Sequence, residues 1–520
     1  MSTVRRALWG DTYKSAAMKP PARMTYWYPR PLLITAGAVA AVFATSGQAA
    51  QVALWALAVA AVVLALVSSV EGLAMLMLVS AIDGISKGVL PGWFTLLLKD
   101  VVLWACLLRW LFLQLQGFRS EALRTRTALY LFLFSAWVLL ETANVATGSA
   151  LAALAGLRSW IGWLPVFFLA YDALRHRSQI LPFLITMVLA AALVGLYGVI
   201  QQQIGYDHLL RISRNFEYVQ RLGIVEGVYR SMSTLPHPGI FGHYMATMLP
   251  MALALGLASF LPVSARAMSL AATVLIAAGA ISSGGRLAAA AMLSTAVLVF
   301  LLARHARTVL SGAILLTILG YAALRLAAPQ AVERISWLFE PTWTLNRILT
   351  PLSRGWQSAL QHPLGVGVAT GIGIGRAAGL LGGGATVSDI AAGVVEGEFG
   401  RAFRELGFPG GFLLIALCLH ALRAGFGALA ATRPAEYRFL TAGLFAMVFS
   451  EILGLFVGPA FYLMPVAGLF WVALASLIRI GRNEDLAAAP AAAGSSVETS
   501  AEVVPTGPSR SLLNTPRLLQ

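Results

Sequence analysis

Residues 51–69 read QVALWALAVAAVVLALVSS, a run without a single charged side chain. A helix of ~20 apolar residues is long enough to cross the hydrocarbon core of a bilayer. A backbone inside that core must satisfy its hydrogen bonds within its own segment, which excludes open sheets. Residues 51–69 therefore predict a transmembrane helix, and similar runs occupy most of the chain.

The overall composition favours the same interpretation. The 520 residues are 58% hydrophobic and 11% charged, with a mean hydropathy of +0.78, whereas soluble domains carry about 25% charged residues. We therefore expect an all-α, polytopic helical membrane protein with about 12–14 transmembrane helices. The third apolar run is short and is the strongest candidate for a re-entrant segment. The runs lie near residues 32–48, 51–69, 71–83, 94–115, 127–143, 157–174, 179–201, 239–260, 268–283, 286–303, 309–327, 410–425, 438–457 and 462–479.

Basic residues between the runs predict the orientation, because Lys and Arg concentrate in cytoplasmic loops. The basic start of the chain leads into spans without a small-residue cleavage site, so we do not expect it to be a secretory signal. With a cytoplasmic N-terminus, every alternate connection long enough to judge is basic. Its arginines are Arg119, Arg124, Arg126, Arg175, Arg177, Arg266, Arg304, Arg307, Arg423, Arg433, Arg438, Arg479 and Arg482.

This topology divides the chain into five parts. A basic cytoplasmic N-terminus (1–31) precedes eleven transmembrane helices (32–327), and a large periplasmic loop (328–409) follows them. C-terminal transmembrane helices (410–480) and a disordered cytoplasmic tail (481–520) complete the chain, the tail being rich in Ala, Pro, Ser and Thr. The large loop contains Trp, Arg and Gly rather than repetitive polar sequence, so we expect it to be ordered.

A second group of arginines lies on the outer side in this topology. Guanidinium groups match the geometry of phosphate oxygens. The group therefore predicts an anionic ligand, and the alternative is that loop arginines only interact with water. Its members are Arg211, Arg214, Arg221, Arg230, Arg286, Arg334, Arg347, Arg354, Arg376, Arg401 and Arg404.

Several other ligands are not expected. The formal net charge of +15 would suggest nucleic acid in a soluble protein, but here it is divided between two faces of a membrane and no nucleic-acid module is visible. Cys106 and Cys418 both lie in apolar runs, as packing residues do. No histidine has the spacing of a metal ligand, so we expect neither a metal nor a cofactor.

Two outer motifs favour an anion site. Tyr229-Arg230-Ser-Met-Ser-Thr-Leu-Pro-His237-Pro-Gly239 combines an arginine with a turn fixed by two prolines and a glycine. Ser282-Ser-Gly-Gly-Arg286 joins two spans, and its small residues let backbone amides approach an anion at the start of a helix. A hydrogen-bonded interface histidine and a tight turn with a snorkelling arginine are the structural alternatives.

Two further motifs lie in the large loop. His362-Pro-Leu-Gly-Val-Gly367 allows close approach of the backbone to a ligand, but no strand precedes it, so it is not a dinucleotide fingerprint. The second motif runs from Glu396 through Glu398, Arg401 and Glu405 to Gly410. Its alternating carboxylates and arginines fit a structural ion-pair helix as well as a catalytic acid.

With these four motifs in this order, the chain resembles the O-antigen ligase and polymerase superfamily over roughly residues 190–460. Members are polytopic glycosyltransferases of the bacterial inner (cytoplasmic) membrane that use glycans linked to undecaprenyl pyrophosphate. The resemblance implies that Arg230 and Arg286 hold the donor pyrophosphate. A His-Asn pair usually stands nine residues before the glutamate that matches Glu405, where this chain has Glu396 and Gly397. That departure favours an O-antigen or exopolysaccharide polymerase.

The resemblance implies a metal-independent, inverting transfer at the periplasmic face. Arg230 and Arg286 stabilise the leaving group, and Glu396, or Glu398 in its place, takes the proton from the acceptor hydroxyl. Trp356, together with Trp337 and Trp343, is expected to contact sugar rings. The remaining candidate substrate-binding residues are Arg347, Arg354, His237, His362 and Arg401.

The expected partners are the lipid-linked oligosaccharide, membrane lipids, and the flippase and chain-length regulator proteins of such a pathway. Two alternatives stay open. An O-antigen or protein O-glycan ligase would share the site and differ in its acceptor. A transporter or flippase for a lipid-linked or anionic substrate belongs to another class, and the lack of two related halves speaks against it.

Overall fold

A computed structural model provides the coordinates of the protein. It describes residues 28–90, 94–144, 147, 149–213, 216, 224–225, 228–302, 306–326, 341–370, 397–432, 435–458, 460–461 and 463–482.

Eighteen α-helices form almost all of the secondary structure in these ranges. A 3₁₀ turn at Ala122–Arg124 and a two-strand hairpin complete it, the strands β1 (Ile224–Val225) and β2 (Val228–Tyr229) pairing antiparallel. The helices are α1 (Pro29–Ala44), α2 (Gln48–Val67), α3 (Ser69–Ala81), α4 (Asp83–Val89), α5 (Phe94–Leu115), α6 (Arg126–Thr142), α7 (Ala150–Ile161), α8 (Pro165–Ala173), α9 (Arg177–Ile204), α10 (Asp207–Ile212), α11 (Pro238–Leu257), α12 (Val263–Ser282), α13 (Arg286–Leu302), α14 (Ala306–Leu326), α15 (Pro341–Gln361), α16 (Glu398–Ala431), α17 (Ala435–Leu455) and α18 (Val466–Arg482).

The helices confirm the predicted class, a polytopic helical membrane protein. Within the described ranges, seven helical segments are long and apolar enough to cross a membrane, and the count rises to eight if one bent pair is a single span. Helices α1 and α13 are apolar but shorter. The larger count of about 12–14 spans remains a prediction. The seven segments are Gln48–Val67, Ala150–Ala173, Arg177–Ile204, Pro238–Leu257, Val263–Ser282, Glu398–Ala431 and Tyr437–Leu455.

The bent pair occupies the run for which the sequence predicts a re-entrant segment. Helices α3 and α4 meet at an angle of 61°. Asp83 begins α4 and is buried, and its carboxylate contacts the ammonium groups of Lys99 at 2.8 Å and Lys87 at 2.9 Å. A buried carboxylate requires such partners, so the ion pairs stabilise the bend.

Helix α11 lies at the centre of the bundle. Of its most apolar window, 89% is buried inside the protein, compared with 33% for α2 at the periphery. Helix α11 packs against α9, α12, α13, α17 and α18. Close crossing of α9 and α12 depends on Gly195 and Gly279, because a Cβ at Gly279 would lie 2.8 Å from the Gly195 Cα. Small residues allow such close approach between membrane helices.

Connections predicted to be cytoplasmic meet at one end of this bundle. The Arg177 guanidinium, at the start of α9, lies 3.1 Å from the ring centroid of Tyr437 near the start of α17. Arg479, near the end of α18, contacts Glu121 at 2.6 Å. The turns that contain Arg230 and Arg286 lie at the opposite ends of these helices. The structure thus separates Arg230 and Arg286 from Arg177 and Arg479, while the membrane side that each end faces remains a prediction.

The predicted large loop contains an ordered helix. Helix α15 is amphipathic and packs against α16, where a Cβ at Gly355 would lie 2.2 Å from the carbonyl oxygen of Gly400. The predicted end of the loop at residue 409 falls beside a kink inside α16, at Gly407, whose φ is +64°. Residues 328–340 and 371–396 of the loop, the N-terminal 1–27 and the predicted tail from 483 onward lie outside the described residues.

Candidate functional site

The structure brings the two outer motifs that precede the loop into direct contact. The Arg230 Nε donates a hydrogen bond of 2.9 Å to the carbonyl oxygen of Ser283. The next residue along, Ser231, donates from its backbone N–H to the carbonyl of Ser282 at 3.0 Å. Arg230 and the turn that leads to Arg286 are therefore parts of a single surface, although 56 positions along the chain separate these two arginines.

Gln201, in the last turn of α9, fixes the segment that follows Arg230. Its fully buried amide oxygen accepts hydrogen bonds from the Ser231 hydroxyl (2.8 Å), the Met232 N–H (3.1 Å) and the Ser233 N–H (2.7 Å). Tyr206, which lies just before α10, also holds Arg230: its hydroxyl donates to the Arg230 carbonyl at 2.7 Å. Desolvation raises the pKa of Tyr206, so the hydroxyl remains a donor at physiological pH.

Arg286 is the first residue of α13 and is 7% exposed. The turn before it reverses direction at Gly284, where φ is +59°, and the Gly285 N–H donates to the Ser283 hydroxyl at 3.1 Å. Free backbone amides at a helix start carry partial positive charge, to which the guanidinium adds a full one. This turn can therefore bind an anion such as a phosphate group.

His237 is the N-cap of α11. Its Nδ1 accepts a hydrogen bond from the Gly239 N–H at 3.0 Å, which requires that nitrogen to be unprotonated. Desolvation of the ring and the positive charge of Arg230 lower the pKa of His237 to about 4. The neutral ring stabilises the start of the helix beside Arg230.

The two loop motifs also come together. Three backbone hydrogen bonds join them: Val366 N–H to Arg404 O (3.0 Å), Gly367 N–H to Glu405 O (3.1 Å) and Phe408 N–H to Pro363 O (2.9 Å). Gly365 has a φ of +116°, and a Cβ there would lie 2.4 Å from the Glu405 carbonyl oxygen. The glycines of the predicted ligand loop are thus used for close contact with α16.

A buried ion network occupies the first two turns of α16. The Arg401 guanidinium contacts Glu398 at 2.9 Å and Glu405 at 3.3 Å, and all three side chains are at most 1% exposed. Arg401 also donates to the Ser159 hydroxyl and lies 4.0 Å from the Trp160 ring centroid. This geometry supports the ion-pair helix interpretation for Arg401, and Glu398 and Arg401 remain predictions as site residues.

Other predicted residues surround this network or fall outside the described part. Trp356 is 42% exposed and packs its ring against Phe403 and Phe408, 5.4 and 5.0 Å away. Arg354 and His362 are exposed. Trp343 and Arg347 both lie in α15, but their side chains are outside the described part of the structure. Glu396 and Trp337 lie outside the described residues.

The end of α17 connects the two halves of this region. Phe456, which follows α17, contacts the Phe399 ring at a centroid distance of 4.8 Å, and a Cβ at Gly397 would lie 2.5 Å from the Phe456 carbonyl oxygen. Helix α17 also packs along α11, which begins beside Arg230. The arginine turns and the start of α16 therefore lie at the same end of the bundle.

Sequence reasoning missed the residues that hold these motifs in place. Gln201 looks like an ordinary polar residue at a helix end. Trp160, which donates to Glu405 at 2.7 Å, and Trp137, which donates to the Leu406 carbonyl at 2.8 Å, look like apolar span residues. The one feature of the sequence that could have pointed to such residues was a polar side chain inside an otherwise apolar run, as at Gln201.

Comparison with known proteins adds no family assignment. No protein-family model matches the chain, and no curated protein matches it either.

Proposed function

We propose that the protein is a membrane glycosyltransferase that takes a glycan from undecaprenyl pyrophosphate at the periplasmic face, and that it acts as a polysaccharide polymerase. The supporting observation is the contact between Arg230 and the turn that leads to Arg286. Arg230 and Arg286, brought together by this contact beside the start of α13, would supply the positive charge that a pyrophosphate group requires.

The chemistry needs little beyond this site. Pyrophosphate is a good leaving group, and the guanidinium groups neutralise the charge that it gains as the glycosidic bond breaks. Removal of one such contact typically costs about 3 kcal/mol of transition-state stabilisation, roughly a 100-fold loss in rate. The amphipathic helix α15 carries the exposed Trp356 and Arg354, and under this proposal these side chains contact the glycan.

A gel of surface polysaccharide from cells that lack the gene tests this function. Wild-type protein should restore long chains, whereas Arg230→Ala and Arg286→Ala should leave single repeats. Arg423→Ala is the matched control, because Arg423 is an exposed arginine in α16 and belongs to the group predicted to be cytoplasmic. Full polymerisation by both variants, at normal membrane levels, would contradict the proposal. Intact chains left on the lipid carrier would instead indicate a ligase.

A transporter is the second candidate, and the bent pair α3–α4 favours it. Broken helices with buried charges line the substrate sites of many transporters, and Asp83 and Lys99 are buried at this bend. The same gel separates the two functions, since unchanged glycans after gene deletion would exclude the polymerase.

A further inference from the structure

A histidine and a glutamate meet between α11 and α17, at the end of the bundle that contains the arginines. The His243 Nε2 lies 3.0 Å from the Glu451 Oε2. Glu451 is fully buried, and the Thr247 hydroxyl donates to its other oxygen. The carboxylate thus has both oxygens engaged and fixes one ring nitrogen of the histidine.

The protein provides a fitted space for this ring. A Cβ at Gly454 would lie 1.8 Å from the His243 Cε1, so any other residue at this position would displace the imidazole. The other ring nitrogen, Nδ1, makes no hydrogen bond with the described part of the chain, and the side chain is 15% exposed. A ring held on one side by a carboxylate, with its second nitrogen unengaged, has the arrangement of a general base.

The position of His243 connects it with the arginine turns. Its neighbour Gly242 packs on the turn before α13, where a Cβ would lie 2.5 Å from the Ser283 Oγ. The carbonyl of that same Ser283 accepts the hydrogen bond from Arg230. His243 is therefore one residue away from the helix contact that supports the proposed pyrophosphate site.

The other candidate bases are less suited by their contacts. Glu398 is fully buried and paired with Arg401, so an acceptor hydroxyl does not reach its carboxylate. The His237 Nδ1 is occupied by the Gly239 N–H. Glu396 lies outside the described residues and is retained as the competing base in the test below.

We infer that His243, oriented by Glu451, is the base that accepts the proton from the acceptor sugar hydroxyl. The inference rests on the proposed glycosyltransferase function. In the step, the acceptor oxygen forms a bond to the anomeric carbon and its proton passes to the His243 Nδ1. The bond from that carbon to the pyrophosphate oxygen breaks, and undecaprenyl pyrophosphate leaves with the electron pair beside Arg230 and Arg286. Glu451 stabilises the imidazolium that forms.

Glu451 is the charged group in contact with the His243 ring. Glu451 comes from α17, Arg286 stands at the start of α13, and His237 precedes α11. The other charged residues of the helices packed against α11 lie toward the opposite end of the bundle: Arg177, Arg266, Glu436, Arg438, Arg479 and Arg482.

The test uses the full-length protein in liposomes with lipid-linked repeat units isolated from the deletion cells, and it measures transfer from pH 5.5 to 9. His243→Ala should lose transfer by roughly 100-fold to 10,000-fold, retain binding of the lipid-linked donor, and recover in part with added imidazole. Glu451→Gln should lower kcat across this range with little change in KM for the lipid-linked donor, because the ring loses the carboxylate that orients it.

Two variants serve as comparisons. His420→Gln changes another half-buried histidine, which bonds the Thr127 hydroxyl at 2.9 Å, and should transfer normally. Glu396→Gln removes the competing base. Wild-type transfer by His243→Ala, or an unchanged kcat in Glu451→Gln, would overturn the inference. Loss of transfer in Glu396→Gln together with normal transfer in His243→Ala would assign the base to Glu396. If Arg286→Ala loses transfer and His243→Ala transfers normally, the proposed function stands and the role of His243 is wrong. If the wild-type protein does not transfer, both the proposed function and the role of His243 are wrong.

Discussion

Removal of the Arg401 guanidinium should destabilise the protein more than any exposed arginine substitution. Arg401→Met would leave Glu398 and Glu405 buried, each at 0% side-chain exposure, without the cation that lies 2.9 and 3.3 Å from them. Breaking a buried ion pair by removal of one partner costs about 3–5 kcal/mol. The loss should be seen as a lower free energy of unfolding in mixed micelles, followed by tryptophan fluorescence.

Two comparisons make this prediction decisive. Arg354→Met alters an exposed arginine and should change the free energy of unfolding by less than about 0.5 kcal/mol. The triple variant Arg401→Met/Glu398→Gln/Glu405→Gln should recover most of the loss, because no buried charge remains and the amide oxygen introduced at position 405 can still accept from Trp160. If Arg401→Met unfolds like the wild type but no longer transfers glycan, the guanidinium contacts substrate and the structural explanation is wrong.

Three other changes test how the site is held. Gln201→Leu removes the acceptor of three hydrogen bonds to residues 231–233 and should lower the free energy of unfolding by about 3 kcal/mol. Gln201→Glu keeps an acceptor and should unfold closer to wild type. Equal unfolding of both variants in micelles would exclude a stabilising role for these hydrogen bonds. Gly407→Ala should destabilise the protein by at least about 1–3 kcal/mol, since φ is +64° and the Cβ would lie 2.3 Å from the Pro363 carbonyl oxygen. Gly427→Ala is the control, because a Cβ there meets no atom within 4 Å, and it should be neutral or slightly stabilising. Similar effects of the two substitutions on the free energy of unfolding would refute the argument. His237 has a pKa of about 4 in the folded protein, below the ordinary value near 6.5. Its contribution to the free energy of unfolding is present above pH 6.5 and is lost as the pH falls toward 4, because only the unfolded chain then takes up the proton. His237→Asn keeps a capping group and should reduce that pH dependence of the unfolding temperature, and an unchanged dependence would show that another group causes it.

The sequence predicted the class of the fold well, because hydrophobic burial in a bilayer leaves a direct trace in composition. Long uncharged runs such as 51–69 can only be stable as membrane helices. The short run at 71–83 predicted an irregular segment, where α3 and α4 meet at 61°. Alternate basic connections, such as those with Arg177 and Arg479, predicted the orientation, which stays a prediction. Each of these properties depends on local hydropathy and chain order.

The contacts of the candidate site depended on distances between residues that are far apart in the chain. Four motifs could be recognised as pieces, but only the tertiary structure joined Arg230 to Ser283, and Val366 to Arg404. It also decided that Arg401 is enclosed by carboxylates.

The histidine–glutamate pair illustrates the same division. His243 and Glu451 are 208 positions apart, and nothing local in either span indicates a partner. The sequence by itself determined that the chain is built of apolar membrane helices and which connections between the apolar runs are basic, because both follow from the transfer of local groups between water and lipid. Only the packing of α11 against α17 decided which polar side chains meet, because a buried polar group finds its partner through the three-dimensional arrangement of the helices.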